Sequence, residues 1–375
     1  MTTVGFFNPL PSLARARLIR NLGVVLADAG FRVVLVDLDS AATLSELTGA
    51  LDRHPTTMFD AFAGPGVSMP DLVDLEDSLL IAAADPRLAL IDSGDASPDA
   101  LREELAGVIA AVREEAEAAI VLCAVPATLG PLARAAIGCA SHVWVPVSGS
   151  RLESYVGVGL AAAWAKWNGV SMPPRDRFDW IEVHAGHDAE AARVAAARFR
   201  DALGGTVVGH LKEFPTLSTL AGAAHKPEVA LTTADGASES QLAAVADLRH
   251  QHEVLATALL RMAGTEEDDA FREQVEQALY SALSDEIPAA LATLSSGTSM
   301  NCVADVEMER LDVRRGGVRV AGTASVSVDL HWGGRSARVD GTMSFPMRFD
   351  LDLDRSHASA NQVTALVVDT SSFYE

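Results

Sequence analysis

Short apolar segments alternate with longer segments of helical periodicity through the first two-thirds of the chain. Residues 3–7 and 31–37 are apolar and strand-like, and residues 13–29 between them place apolar side chains at helical spacing. This order is typical of parallel strands joined by a right-handed crossover. Further strands are predicted at residues 79–83, 88–91, 119–124, 142–147, 178–184 and 206–211, and helices at 98–115, 129–139, 155–168, 189–203 and 238–262. The pattern predicts an α/β fold with a doubly wound, mostly parallel sheet.

The last third of the chain has a different pattern. After an acidic cluster at residues 266–269 and one predicted helix at 270–283, apolar and polar residues alternate along 303–313, 318–330, 338–353 and 363–369. Glycine pairs at Gly316-Gly317 and Gly333-Gly334 separate three of these runs. Period-two runs with turns between them predict an antiparallel β-meander. We therefore expect two domains, residues 1–262 and a smaller α+β domain at 265–375.

Composition restricts the functional classes. The chain has 29 Lys and Arg against 51 Asp and Glu, a formal charge of −22, which disfavours nucleic-acid binding through counterion release. Three scattered cysteines favour a reducing compartment over a disulfide framework. The sequence shows no signal-peptide pattern, no apolar run of membrane-spanning length and no basic amphipathic helix at its end. The sequence thus predicts a cytoplasmic protein that does not bind membranes.

The segment from Val4 to Gly49 has the layout of a phosphate-binding loop, its helix and the next strand, but its loop lacks the residues that bind phosphate and Mg²⁺. A phosphate cradle needs glycines that let backbone N–H groups approach the anion, a lysine for the phosphates and a hydroxyl for Mg²⁺. The loop here reads N-P-L-P-S-L-A-R-A-R from Asn8 to Arg17. Its two prolines remove backbone donors where a phosphate would need them.

Three blocks nonetheless resemble the ParA/MinD family of partition and cell-positioning ATPases, a deviant-Walker-A branch of the P-loop proteins. The first, residues 27–39, is similar to the helix end and second strand that follow that family's K-G-G-x-G-K-[ST]-[ST] loop. The second, residues 119–147, resembles its Walker B region, and the third, residues 214–227, its Ile-Pro-Arg segment. Counting back from the first block places Leu10 at the signature lysine, Pro11, Ser12 and Ala14 at loop glycines, Arg15 at the Walker lysine and Ala16 at the Mg²⁺-binding hydroxyl; Ala124 falls at the Walker B aspartate.

The resemblance implies the family's fold for residues 1–262 but not its catalysis. In the family, the acidic residue that corresponds to Asp37 helps to organise Mg²⁺ and the attacking water. Arg15, Asp37 and Asp39 are therefore the candidate residues of a residual site for ATP or ADP, with Mg²⁺. The alternative is a structural relic without a cofactor, and ATP hydrolysis is not expected.

These changes predict a pseudo-ATPase that acts as a scaffold, positioning or adaptor subunit of a bacterial cytoplasmic assembly. Its expected partner is a protein, for example an active ParA-like ATPase or another subunit of the complex. A homodimer is also considered, because Trp164 and Trp167 would share one face of the predicted helix 155–168.

The alternative function is catalytic. Asp350, Asp352 and Asp354 alternate with leucines, so a strand would place all three carboxylates on one face, about 7 Å apart. Such a face is either a solvated surface or a binding site for Mg²⁺ or Ca²⁺. Glu307 and Glu309 have the same spacing, so a metal site is favoured if their strand pairs with the strand that carries the three aspartates. The second interpretation predicts a metal-dependent nuclease or defence effector, with the first domain as an oligomerisation platform.

Histidines provide weaker candidates. His184, His187 and Asp188 follow a predicted strand, at the edge where α/β proteins place sites, but two histidines without a third ligand are weak support for zinc. His250 and His252 point to different faces of a predicted helix and give no site prediction.

Overall fold

The computed structural model describes residues 2–8, 13–51, 53, 56–62, 69–128, 130–147, 178–185, 189–203, 205–332, 339–354 and 361–373. The loop positions Leu10, Pro11 and Ser12, the predicted helix 155–168 with its two tryptophans, and His187 with Asp188 lie outside these residues. The chain divides into two compact units, Met1–Ala256 and Thr257–Glu375.

The first unit is built on a mostly parallel sheet, as the sequence predicts. Its eight described strands lie in the order β3-β4-β2-β5-β1-β6-β7-β8. β3 pairs antiparallel with β4, and the other neighbours pair parallel. The strands are β1 (Thr2–Phe6), β2 (Val33–Asp37), β3 (Leu72–Glu76), β4 (Leu79–Ala82), β5 (Ile120–Ala124), β6 (His142–Val147), β7 (Phe178–Ala185) and β8 (Val207–Glu213).

Helices connect these strands. They are α1 (Leu13–Asp28), α2 (Thr43–Leu47), α3 (Met58–Phe62), α4 (Leu88–Asp92), α5 (Pro98–Glu115), α6 (Pro131–Cys139), α7 (Ala189–Leu203), α8 (Pro215–Ala224) and α9 (Glu239–Met262). The prediction of a strand at 88–91 is wrong, because this segment forms α4. Four apolar residues do not distinguish a strand from a buried helix turn. Asp85 and Pro86, shortly before this segment, favour a turn into a helix.

The centre of the first sheet explains its continuous apolar runs. Every residue of β1, β2 and β5 is buried, because helices cover both faces of a parallel sheet. β5 lies between β1 and β2, with Leu122 opposite Val4 on one side and Leu35 on the other. The carboxyl ends of β2 and β5 coincide, since Asp37 is the register partner of Ala124. The residues that follow these strands therefore meet at one edge of the sheet.

The second unit contains an antiparallel sheet in the order β12-β11-β10-β9, and the predicted meander is confirmed. Along β10, buried and partly exposed residues alternate from Val320 to Leu330, so one face forms a core and the other faces solvent. Its strands are β9 (Gly297–Arg314), β10 (Gly317–Trp332), β11 (Val339–Leu353) and β12 (Gln362–Val368), and its helices are α10 (Asp269–Asp285) and α11 (Ala289–Ala292).

The division between the compact units falls within α9, a few residues before the predicted boundary at 262–265. Within the described ranges, no helix combines the length and the hydrophobicity needed to cross a bilayer.

Candidate functional site

The residual nucleotide site predicted from the sequence lies at the carboxyl edge of β1, β2 and β5. Arg15 is in the first turn of α1, Asp37 is the last residue of β2, and Asp39 follows two residues later. The structure brings these three residues together, and all are buried: Arg15 is 2%, Asp37 0% and Asp39 6% exposed.

The guanidinium of Arg15 is held by the protein itself. One of its terminal nitrogens forms an ion pair with a carboxylate oxygen of Asp39. The other donates to the carbonyl oxygen of Val125 at 2.6 Å and lies 3.5 Å from that of Asn8. The cation at the Walker lysine position therefore joins the segments that follow β1, β2 and β5, and its charge is balanced internally.

The carboxylate of Asp37 is also engaged within the protein. One oxygen accepts hydrogen bonds from the backbone amide and the hydroxyl of Ser45, at 2.9 and 2.8 Å, and the other accepts from the amide of Asp39 at 3.1 Å. Burial raises the pKa of Asp37 to about 6, while the hydrogen bonds from Ser45 partly oppose that shift.

Ser45 links this carboxylate to the next strand. Its hydroxyl oxygen accepts a hydrogen bond from the amide of Ala84 at 2.9 Å, just beyond the end of β4. The sequence analysis did not include Ser45 among the site residues. Its position eight residues after Asp37, in a five-residue helix, matches no spacing rule for Mg²⁺ ligands, so no signal in the sequence singled it out.

The residues present do not fit a magnesium nucleotide. Ala16 and Ala124 carry no side-chain oxygen for Mg²⁺, and the Arg15 guanidinium would have to leave Asp39 to meet a phosphate. The Asp37 carboxylate, the remaining candidate ligand, already accepts three hydrogen bonds. The arrangement is thus a closed polar network that connects strand ends.

In the second unit, the predicted carboxylate face is paired with arginines. Asp350 forms a two-point contact with Arg319, with both N–O distances at 2.6 Å, and lies 3.4 Å from Arg310. The hydrogen bonds from Arg319 lower the pKa of Asp350. Asp352 lies 3.9 Å from Arg319, and the backbone amide of Asp354 donates to the side chain of Asn361 at 2.9 Å.

The other predicted ligands do not join these carboxylates. β10 separates β9, which carries Glu307, from β11, so the two acidic strands are not neighbours. His184 is half-buried on β7, and its predicted companions lie outside the described residues. In the parts of the chain that the structure describes, no group of three or more His, Cys, Asp or Glu side chains is placed to hold a metal ion.

Comparison with solved structures identifies the class to which the first fold belongs. The MinC:MinD cell division protein complex of Aquifex aeolicus matches with a TM-score of 0.51 at 16% identity, covering 69% of this chain and 96% of that chain. A putative plasmid partition protein of Borrelia burgdorferi, bound to AMPPNP, gives 0.53 at 10%, with 69% and 98% covered. Apo McdA of Cyanothece gives 0.50 at 15%, with 69% and 99% covered. The first unit has the fold of the ParA/MinD P-loop ATPases, as the resemblance implied.

A separate match concerns the last third of the chain. The sequence model of a family described as "Predicted pPIWI-associating nuclease" matches residues 265–374. No curated protein matches the sequence.

Proposed function

We propose that this protein is a non-hydrolysing relative of the ParA/MinD ATPases that serves as a scaffold subunit. The observation that carries the proposal is the buried pair between Arg15 and Asp39. In an active P-loop site, a lysine and a hydroxyl are presented to the nucleotide and its metal. Here the corresponding cation is neutralised by a carboxylate of the same chain, and both groups are buried.

The partner that we propose is a pPIWI protein. The support is the family match over residues 265–374, whose description names association with pPIWI. MinD, which shares the fold of the first unit, is found in a complex with MinC. A scaffold with this fold and this second unit would hold a pPIWI protein in a cytoplasmic assembly without turning over ATP.

The nucleotide half of the proposal is tested by calorimetric titration of the full chain with ATP and ADP, each with Mg²⁺, at two temperatures. We expect no binding tighter than about 100 μM, a limit that corresponds to roughly −5.5 kcal/mol. Saturable binding of ATP or ADP by the wild-type chain below this limit would overturn it and restore a nucleotide switch at Arg15, Asp37 and Asp39.

The partner half is tested by sedimentation velocity of the full chain mixed with a pPIWI protein, in the absence and presence of ATP and Mg²⁺. We expect one complex with the same sedimentation coefficient in both conditions. Independent sedimentation of the two proteins would overturn the partner. A complex that forms only with ATP would overturn the nucleotide-independent scaffold.

A second candidate function is supported by the same family description, which names a nuclease. The metal of such a nuclease would have to be held by carboxylates such as Asp350, Asp352 and Asp354. Two of these carboxylates, those of Asp350 and Asp352, lie near Arg319. The test is cleavage of single- and double-stranded DNA and RNA with Mg²⁺ or Mn²⁺, with and without the pPIWI protein. Cleavage lost in Asp352→Asn and kept in Asp369→Asn would support the nuclease; no cleavage under any of these conditions would reject it.

A further inference from the structure

The two edges of the sheet in the second unit differ in how they are protected against pairing with another strand. The strand order β12-β11-β10-β9 places β9 at one edge and β12 at the other. An edge strand presents unpaired backbone N–H and C=O groups, which favour the addition of a further strand. Proteins usually prevent this addition with charged side chains and β-bulges along the edge. The residues and the register of β9 and β12 therefore indicate which edge is open to a partner.

The β9 edge carries both kinds of protection. Six of its 18 residues are charged, namely Asp305, Glu307, Glu309, Arg310, Asp312 and Arg314. Its pairing with β10 is interrupted by register shifts at three points, and the backbone of Asp305 is in the left-handed region, with a φ of 52°. This edge therefore does not present the regular row of backbone groups that an added strand requires.

The β12 edge lacks charged residues. Between Gln362 and Val368 the strand contains no Asp, Glu, Lys or Arg, and most of its side chains are apolar. Val367 is 67% exposed, which is unusual for a valine in a strand. Among the residues that the structure describes, β12 pairs with β11 alone. It is therefore an uncharged and largely apolar edge in a chain whose net charge is −22.

The backbone of β12 directs hydrogen-bonding groups away from β11. Residues 365–368 pair with β11 in regular register, because the one register shift between these strands lies before them. The amide of Asp369 donates to the carbonyl oxygen of Pro346 at 2.9 Å, so the backbone groups of Asp369 face β11. Successive residues of a strand direct their backbone groups to opposite sides, so those of Leu366 and Val368 point away from β11.

The side chains of Leu366 and Val368 carry the apolar core of the sheet to this edge. Their register partners on β11 are Phe349 and Met347, which are buried. Leu366 and Val368 themselves are only partly buried. Apolar side chains of an added strand would cover them and extend the same core layer, which stabilises the added strand.

We propose that β12 pairs antiparallel with β12 of a second copy of this chain, so that the two four-stranded sheets join across a two-fold axis. With Leu366 of one copy opposite Val368 of the other, the outward backbone groups of both residues are paired, and Val367 lies at the axis. A two-fold axis brings each group close to its own copy, so an uncharged strand is the favourable contact surface for a chain of net charge −22. Pairing uses the β12 edge of both copies and leaves the protected β9 edges at the two ends, so the assembly closes as a dimer. This dimer does not depend on the partner of the scaffold.

The test is sedimentation velocity of the full chain over a range of concentrations, for wild type and for Val367→Lys. We expect a reversible equilibrium between monomer and dimer for wild type. Val367→Lys should weaken the dimer by about tenfold or more, because it places two ammonium groups at the axis and removes two apolar side chains from the contact. The matched control is Val194→Lys on α7, at a position that is 42% exposed; it adds the same charge and should leave the dimer unchanged.

Hydrogen exchange followed by mass spectrometry locates the contact. The amides of β12 should exchange more slowly as the dimer becomes populated, whereas those of β9 should not change. A wild-type chain that stays monomeric up to about 100 μM would overturn the proposal and leave β12 to a strand of another protein. An assembly larger than a dimer, a dimer that Val367→Lys preserves, or one that Val194→Lys also disrupts would overturn it as well. If a variant does not fold, as judged by circular dichroism, the protection of β12 in wild type decides the outcome.

Discussion

Two arginine–carboxylate pairs, one in each unit, show how burial changes the role of the same chemistry. The Arg15 and Asp39 side chains are 3% and 9% exposed, whereas those of Arg319 and Asp350 are 25% and 18% exposed. The first pair lies at the carboxyl edge of a parallel sheet among buried strands, and the second lies on the solvent face of an antiparallel sheet.

This difference in burial determines how much each ion pair contributes to the stability of its unit. Removing one partner of a buried pair leaves an uncompensated charge away from water, which is strongly destabilising. Removing one partner of a pair that water reaches costs little, because solvent replaces it. The Arg15 pair is therefore expected to be structural, whereas the Arg319 pair leaves its carboxylates accessible to other partners. Four predictions sharpen this contrast.

The largest effect is expected for Arg15→Ala. The variant leaves the Asp39 carboxylate buried without its cation and the Val125 carbonyl without its donor. We expect the free energy of unfolding of the first unit to fall by about 3–5 kcal/mol. Urea denaturation followed by tryptophan fluorescence measures this, because Trp144 and Trp180 are buried in this unit. Arg32→Ala, which removes an exposed pair with Glu117, is the control; equal losses in the two variants would contradict the structural role of Arg15.

The next effect is a pH dependence that arises at Asp37. Its pKa rises from 3.8 to about 6 on folding, so the native state binds a proton more tightly than the unfolded state. The resulting stability is fully present below pH 3.8 and is lost as the pH rises through 6, a change of about 3 kcal/mol. Asp37→Asn removes this titration.

Relative to wild type, Asp37→Asn should therefore gain about 2 kcal/mol in the free energy of unfolding between pH 4 and pH 7, most of the full change. The measurement is urea denaturation at a series of pH values. Asp95→Asn, at an exposed position, should run parallel to wild type throughout this range. If the free energies of unfolding of Asp37→Asn and wild type differ by the same amount at every pH, the pKa of Asp37 is not raised on folding.

A smaller loss is expected for Ser45→Ala. This variant removes a donor to Asp37 and leaves the amide of Ala84 without an acceptor. We expect a loss of about 1–3 kcal/mol, the cost of an unsatisfied buried donor, measured in the same denaturation assay. Ser93→Ala, whose exposed hydroxyl donates to a carbonyl within α4, should change stability very little. Comparable results for the two variants would mean that Ser45 is not part of the network.

The smallest effect is expected for Arg319→Ala in the second unit. Because Asp350 stays accessible to water, amide exchange in β10 and β11 should accelerate by about fivefold at most. Hydrogen exchange followed by mass spectrometry measures this strand by strand. If amide exchange in the second unit of Arg319→Ala accelerates as much as amide exchange in the first unit of Arg15→Ala, the two ion pairs contribute equally to stability.

The fold was more predictable from the sequence than the site. Apolar runs located the central strands because burial on both faces requires continuous hydrophobic residues, as in β5, and alternation located β10 because only one of its faces is buried. The segment 88–91 was mispredicted because a run that short has no period to measure. Equivalence to known loop positions selected Arg15, Asp37 and Asp39, and the structure places these three residues side by side.

What the sequence did not reveal is which contacts these groups make. Ser45 belongs to no spacing motif that would connect it with Asp37. Glu228 lies 207 residues from Asn21 along the chain, and only the fold brings the two side chains into hydrogen-bond contact. His252 gave no site prediction because it and His250 point to different faces of the predicted helix. Its hydrogen bond to Leu248 and its vacant nitrogen are properties of the packed helix, not of the sequence pattern.

The position of β5 between β1 and β2 has a consequence for the order of assembly during synthesis. The first two strands to leave the ribosome are not neighbours. β2 can pair with β4 first, but β1 has no partner strand until residues 120–124 have been made. At 5–20 residues per second, that delay is roughly 6–25 s. For this period, β1 is present without either of its partner strands, so residues that are all buried in the folded protein stay exposed on the nascent chain.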